Sequence, residues 1–148
     1  PIVDLTEHRQ DLHWYLRQVE EVVIRGVAPF GIAAARNLGK TGVWADDRKL
    51  ASIGVHARSW VTWHGFALSV TTDLRCCDLM GPCGIADVVM TSVEREMLEN
   101  ASGTCLAPSP TLGDDVREAI VRSFGEVFER VAVGITLAEI QPALEERT

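Results

Sequence analysis

The chain has 148 residues, 47% hydrophobic and 24% charged, a length and balance that suit one ordinary globular domain. Its net charge of −7, with no block of consecutive basic residues, argues against a nucleic-acid footprint. No stretch approaches the roughly 20 consecutive apolar residues of a membrane span, so neither nucleic acid nor membrane is expected as a partner.

The chain opens Pro1-Ile2-Val3-Asp4-Leu5, without an initiator Met, a basic n-region or an apolar h-region. These residues read like the inside of a strand, and the sequence is expected to be cut from something longer. Residues 11–25 place Leu12, Leu16, Val19 and Val23 at three- and four-residue spacing, with Tyr15 and Val22 beside them. That spacing predicts a helix with one buried face, closed by Gly26 as its C-terminal cap. Strand-like runs follow at residues 42–45, 49–55 and 61–70. Asp46-Asp47 predicts a tight hairpin between the first two, and Ala57-Arg58-Ser59 a turn between the last two. From residue 73 to 87 periodicity disappears, leaving a loop around Cys83, and residues 99–110 read as a surface connection. A second helix is predicted over residues 114–130, with Val116, Ile120, Phe124, Val127 and Phe128 on one stripe and Asp114-Asp115 at its positive end. Helix, strands and helix in one chain of this length predict a single mixed α/β domain of the α+β type over residues 1–148.

Only two lysines occur, Lys40 and Lys49, against twelve arginines. Lys49 sits in the apolar run Arg48-Lys49-Leu50-Ala51-Ser52-Ile53-Gly54-Val55. A lysine kept there suggests a need for an amine that can lose its proton, which a guanidinium cannot do. The bland alternative is a strand lysine that points to solvent. Downstream lies Gly81-Pro82-Cys83-Gly84. A free thiol has a pKa of roughly 8.5 and needs a neighbouring cation or base to react at neutral pH; Lys49 can supply either, which makes Lys49 and Cys83 the leading catalytic pair. The other cysteines, Cys76, Cys77 and Cys105, read as small core residues or incidental thiols. The adjacent Cys76-Cys77 argues against a disulfide framework, and no Cys-x-x-Cys or His-x-x-x-His spacing completes a zinc site, so no metal is expected and reduced thiols fit best. Asn100-Ala101-Ser102 matches a glycosylation acceptor but carries no meaning without a secretory signal. Gly39-Lys40-Thr41 resembles the end of a phosphate-binding loop, but the first glycine of that motif would fall on Ala34, so a nucleotide site is rejected and no cofactor is expected. Any acyl group would then arrive already activated, as in a thioester.

Five blocks carry a family likeness: Thr41-Gly42-Val43-Trp44; Arg48 to Val55; Trp63-His64-Gly65-Phe66-Ala67-Leu68-Ser69-Val70; Thr72-Asp73-Leu74; and Pro82-Cys83-Gly84-Ile85. In order and spacing they resemble the lipoyl(octanoyl) transferase family across about residues 1–95, with Asp11 to Arg17 and Glu20 to Arg25 closest in look to plastid and cyanobacterial members. Beyond residue 100 the likeness is weak. The resemblance implies the fold of the biotin and lipoate protein ligase catalytic domain, a mixed β-sheet flanked by helices. It implies transfer of an octanoyl or lipoyl group from acyl carrier protein to a lysine of a lipoyl-carrier domain, in 2-oxoacid dehydrogenase complexes or the glycine cleavage H protein. In that reading Cys83 carries the acyl thioester, Lys49 moves protons, and Ser52-Ile53-Gly54 and Gly65-Phe66-Ala67 line the substrate site. Backbone near Gly84 would hold the oxyanion, and His64 would touch the substrate or stand just behind it, without the signature of a cysteine hydrolase around Cys83. Trp44, Trp60 and Trp63 are expected in the core, one of them a candidate wall of an acyl tunnel. The implied compartment is the cytoplasm in a bacterium and the plastid or mitochondrion in a plant or alga.

Two departures bear on this. Family members carry, ahead of the first strand here, an Arg-Gly-Gly segment and a Thr, His and Pro-Gly-Gln turn that nothing in this chain matches, so the chain is expected to be the C-terminal portion of an octanoyltransferase catalytic domain. Gly81 stands where the family has a bulky aliphatic residue, and Cys76-Cys77 replaces a Pro-Phe-like pair. Two alternatives stay open: an ATP-dependent lipoate ligase, and a non-catalytic fragment that only binds a carrier domain.

Overall fold

A computed structural model describes residues 1–74, 88–100 and 109–145. The fold is a mixed sheet with helices packed on it, as the family resemblance implies. Helix α1 (Leu12–Val27) starts where Asp11 accepts the Trp14 amide at 3.0 Å, satisfying one of the donors a helix start leaves open. Its buried side is Tyr15, Val19, Val22, Val23 and Val27, while Leu12 turns outward. Gly26 does not cap it. The helix runs on to Val27 and into a 3-10 turn, Ala28–Phe30, closed by Gly31 in the left-handed conformation at φ 75°. Gly26 is instead where α1 crosses α3 (Leu112–Phe128): a Cβ there would lie 2.5 Å from Ile120 Cδ1.

Five strands follow: β1 (Ala34–Asn37), β2 (Lys40–Ala45), β3 (Arg48–Arg58), β4 (Val61–Leu68) and β5 (Val89–Met90). The first four form an antiparallel run in chain order, and β5 lies parallel to the start of β3. The hairpin expected at Asp46-Asp47 is present, with Asp46 at φ 49°, a conformation Asp tolerates better than most residues. The next turn lies later than expected, at Ser59-Trp60. Both residues have positive φ, 50° and 66°, which matches the twist two antiparallel strands need. The opening residues behave in part as a strand: Asp4 bridges Val61, and the Thr62 amide donates to the Val3 carbonyl at 2.9 Å. A 3-10 turn, Leu5–Glu7, ends that pairing.

The core lies on one face of the sheet, between the strands and α1 with α3. One cluster joins Val23 and Val27 to Val43, Leu50, Ala51, Val93 and Val116; the other joins Tyr15, Val19 and Val22 to Val3, Leu5 and Phe128. Each buried Val, Leu or Phe side chain among them contributes about 1.5–3 kcal/mol. The predicted stripe on α3 is present, with Val116 and Phe128 buried and Phe124 stacked on Phe128 at 4.4 Å. Two short helices, α2 (Val93–Asn100) and α4 (Leu137–Glu145), complete the described elements. No described helix is long and apolar enough to cross a membrane.

Candidate active site

The site is set by an irregularity in β3. Trp44 pairs with Lys49, yet Val43 pairs with Ala51, so Leu50 is an extra residue in β3, a β-bulge. Paired residues of adjacent strands share a face, and Val43 and Trp44 face opposite ways. Lys49 and Ala51 are therefore on opposite faces, where a regular strand would put them together. Ala51 packs into the helix-side core, and from there β3 and β4 pair without interruption, Ser52 with Ala67, Ile53 with Phe66 and Gly54 with Gly65. Ile53 and Phe66 pack on the core, so alternation sends Ser52 and Gly54 to the other face. The bulge thus aligns Lys49 with Ser52 and Gly54, about 10 Å along the strand from Ser52 at roughly 3.3 Å per residue.

Lys49 is 6% exposed and Trp44 2%, and neither belongs to the helix-side clusters. The Lys49 ammonium stands 5.6 Å from the centre of the Trp44 ring, within the range of a cation–π contact. Its stem crosses Gly42: a Cβ at that position would meet Lys49 Cε at 2.8 Å, and Gly42 has φ 131°. Among the described residues no hydrogen bond or ion pair reaches Lys49 Nζ, and the Trp44 Nε1–H is buried without an acceptor. The expectation of a solvent-facing strand lysine is not what the fold contains.

An open groove of about 810 Å³ runs between β3 and β4. Ser52, Ile53, Gly54, His64, Gly65, Phe66 and Ala67, all singled out from sequence, line it together with Pro1, Val55 and His56. His64 has φ 66° in mid-strand, a conformation that costs a non-glycine residue roughly 1–2 kcal/mol. Strain of that kind collects where function needs it. Gly65 follows at φ 156°, and a Cβ on it would lie 2.6 Å from Pro1 Cδ. Cys83 and Gly84 lie outside the described residues, as do Cys76, Cys77 and Cys105. The expectation for the tryptophans changes: Trp60 is exposed in its turn, Trp63 packs against His56 with ring centres 4.4 Å apart and planes tilted by 37°, and Trp44 is buried away from the main core. The alternation of β4 and β2 points Trp63 and Trp44 off the helix-covered face.

The chain re-enters the sheet beside Lys49. Val89 and Met90 pair with Arg48 and Lys49, and the Thr91 amide donates to the Lys49 carbonyl at 3.0 Å. Arg48 fastens this junction, donating to both oxygens of Glu96 at 2.8 and 2.9 Å, while the Thr91 hydroxyl donates to the same carboxylate at 2.5 Å. Burial pushes the Glu96 carboxyl up, but the Arg48 and Thr91 bonds outweigh it and hold it below its ordinary value. The bond to Glu96 raises the Arg48 guanidinium in turn. Sequence reasoning missed this clamp, since nothing in Glu94-Arg95-Glu96 signals that Glu96 meets an arginine 48 positions away. Among the described residues no group of three His, Cys, Asp or Glu could hold a metal.

Comparison with known proteins bears on this geometry. The family model of the lipoyl protein ligase A/B catalytic domain matches residues 1–124, further than the likeness legible by eye. The octanoyltransferase of Geobacter metallireducens is 52% identical over 142 residues, 96% of this chain and 62% of that protein. That of Geotalea uraniireducens is 54% identical over 97 residues, 66% of this chain and 45% of that protein. The chloroplastic octanoyltransferase of Arabidopsis thaliana is 42% identical over 130 residues, 87% of this chain and 46% of that protein. The chain spans about half the length of the curated relatives it matches. Among solved structures, a lipoate-protein ligase A bound with ATP superposes with a TM-score of 0.55 at 20% identity, over 91% of this chain and 54% of that one. A chain of the Thermoplasma acidophilum bi-partite lipoate protein ligase and E2 lipoyl domain system does so at 0.56 and 21%, over 92% and 54%.

Proposed function

The chain belongs to the lipoyl protein ligase A/B catalytic domain family, and on that premise we propose that it takes part in an ATP-independent transfer of an octanoyl group from acyl carrier protein to a lysine of a lipoyl domain. Cys83 is the nucleophile. Lys49 takes the thiol proton as the sulfur attacks the donor thioester; the acyl carbon–sulfur bond to Cys83 forms, the bond to the carrier breaks, and Lys49 returns the proton to the departing carrier thiolate. The acceptor amine then attacks the Cys83 thioester, gives its proton to Lys49, and Cys83 leaves and recovers a proton from it. Backbone N–H groups near Gly84 hold the oxyanion in both steps.

The observation that carries this reading is Lys49 itself: a buried amine with no hydrogen-bond or ion-pair partner among the described residues, turned by the bulge onto the face shared with Ser52 and Gly54. The facing glycines Gly54 and Gly65 leave the groove floor bare of side chains, which suits an extended acyl chain lying against backbone. The compartment follows the host: cytoplasm in a bacterium, plastid or mitochondrion in a plant or alga.

The test uses the protein in its natural full length, octanoyl acyl carrier protein and a lipoyl domain, without ATP. Mass spectrometry should find one octanoyl group on one lysine of the lipoyl domain. Modification only with free octanoate and ATP would replace this reading with the ligase; binding of the lipoyl domain without modification under either condition would replace it with a binding module.

A further inference from the structure

We propose that the tip of the β3–β4 hairpin, formed by Arg58, Trp60, Val61 and the His56–Trp63 pair, is the surface on which an acidic protein carrying the acyl donor docks beside the groove. His56 lines the groove, and Arg58, two positions further along β3, lies on the same strand face. Trp63 and Val61 pair with them across β4 and share that face. The patch thus continues from the groove to the turn.

Two observations single it out. In a chain of net charge −7, eight of the ten described arginines meet a carboxylate. Arg58 and Arg122 are the exceptions among the described residues. Arg122 sits on α3 with Glu118 and Glu126 one turn away on either side, whereas residues 48–72 around Arg58 contain no Asp or Glu. Asp4 comes in from outside that run to bridge Val61, and its carboxylate already accepts the Thr6 amide and hydroxyl at 2.9 and 2.6 Å. The second observation is Trp60. Its φ of 66° belongs to a turn position that Gly or Asn fills without strain, yet it carries an indole left 39% exposed beside Val61 at 38%. A tryptophan held outward against its backbone preference, next to an unpaired arginine, has the composition of the centre of a protein contact.

Charge chooses the occupant. An unpaired guanidinium in a run without carboxylates favours an acidic surface. The acceptor must bring a lysine amine to the groove, which a cationic rim opposes; a thioester donor brings no such charge. The occupant is therefore the donor carrier, an assignment that rests on the acyl-transfer reading above.

The test uses the protein in its natural full length with Cys83→Ser, so that no thioester forms on it, and measures binding of octanoyl acyl carrier protein and of an unmodified lipoyl domain by titration calorimetry. The carrier should bind, and more weakly as sodium chloride is raised. Arg58→Glu should weaken it at least about tenfold, and Arg58→Lys, which keeps the charge, far less. Trp60→Gly should weaken it about tenfold as well while folding as wild type does, since glycine suits the turn. Lipoyl-domain affinity should change by less than about twofold in each variant. Equal carrier affinity in Arg58→Glu and wild type, a loss of lipoyl-domain affinity in its place, or carrier binding indifferent to salt would each overturn the proposal. Acyl transfer that fails in the wild type while carrier binding follows this pattern would contradict the reaction and leave the docking surface standing.

Discussion

Arginine at position 49 would keep a cation over Trp44 while replacing an amine with a guanidinium that cannot lose its proton. Lys49→Arg is expected to retain the wild-type far-UV spectrum and lose at least about 100-fold in acyl transfer, the usual loss when a positioned base is removed; transfer within tenfold of wild type would contradict the role. Glu96 gives a prediction of a different kind. Its carboxyl is depressed on folding from an ordinary value of 4.5, so its contribution is present above the unfolded pKa and disappears as pH falls through the lower folded one. Urea denaturation should show wild type losing stability below about pH 4.5. Glu96→Gln should be about 1–3 kcal/mol weaker at pH 7, because the buried side of Arg48 loses its two-pronged carboxylate and keeps only the more exposed Glu99 at 3.0 Å, and should respond less to acid. Equal acid sensitivity in both would remove Glu96 from the account. Of these residues Lys49 was legible, because a lysine among apolar strand neighbours in an arginine-rich chain is a conspicuous choice. Glu96 was not: its burial comes from Arg48 reaching across from a distant strand. The strain at His64 is likewise a property of the folded backbone alone.

At the level of elements, α1, β2 to β4 and α3 could be read from periodicity, because each is long enough for one buried face to repeat. β5 has two residues and exists through its pairing with Arg48 and Lys49, and α2 has only Val93, Met97 and Leu98 as large apolar residues. The bulge at Leu50 has no sequence signature, yet it decides which face Lys49 serves. Gly26 was visible as a helix breaker and misread as an end, since sequence does not show what crosses it. The crossing predicts that Gly26→Ala destabilises by about 1–3 kcal/mol through overpacking on Ile120, more than the helix propensity of alanine returns. Ile120→Val removes the Cδ1 that the new methyl would strike, so Gly26→Ala in that background should cost less than half as much. Strict additivity in denaturation midpoints would contradict the crossing.

For the whole molecule, one face of the sheet is covered by α1 and α3, and the other carries Ser52 and Gly54 with Lys49 further along the same strand. The fold class, the groove-lining segments and the family were within reach of the sequence because they rest on contiguous blocks. The placing of Lys49 on the face of Ser52 and Gly54 was not, because it depends on one residue inserted into a ladder. The central claim is that Lys49 and Cys83 act as one acyl-transfer unit, and intact-mass spectrometry after mixing with octanoyl acyl carrier protein tests it most directly. The account predicts a hydroxylamine-labile octanoyl adduct on Cys83 that is absent in Cys83→Ser and forms at least about 100-fold more slowly in Lys49→Arg. An adduct on any other residue, or one that forms at the same rate without Lys49, would contradict it.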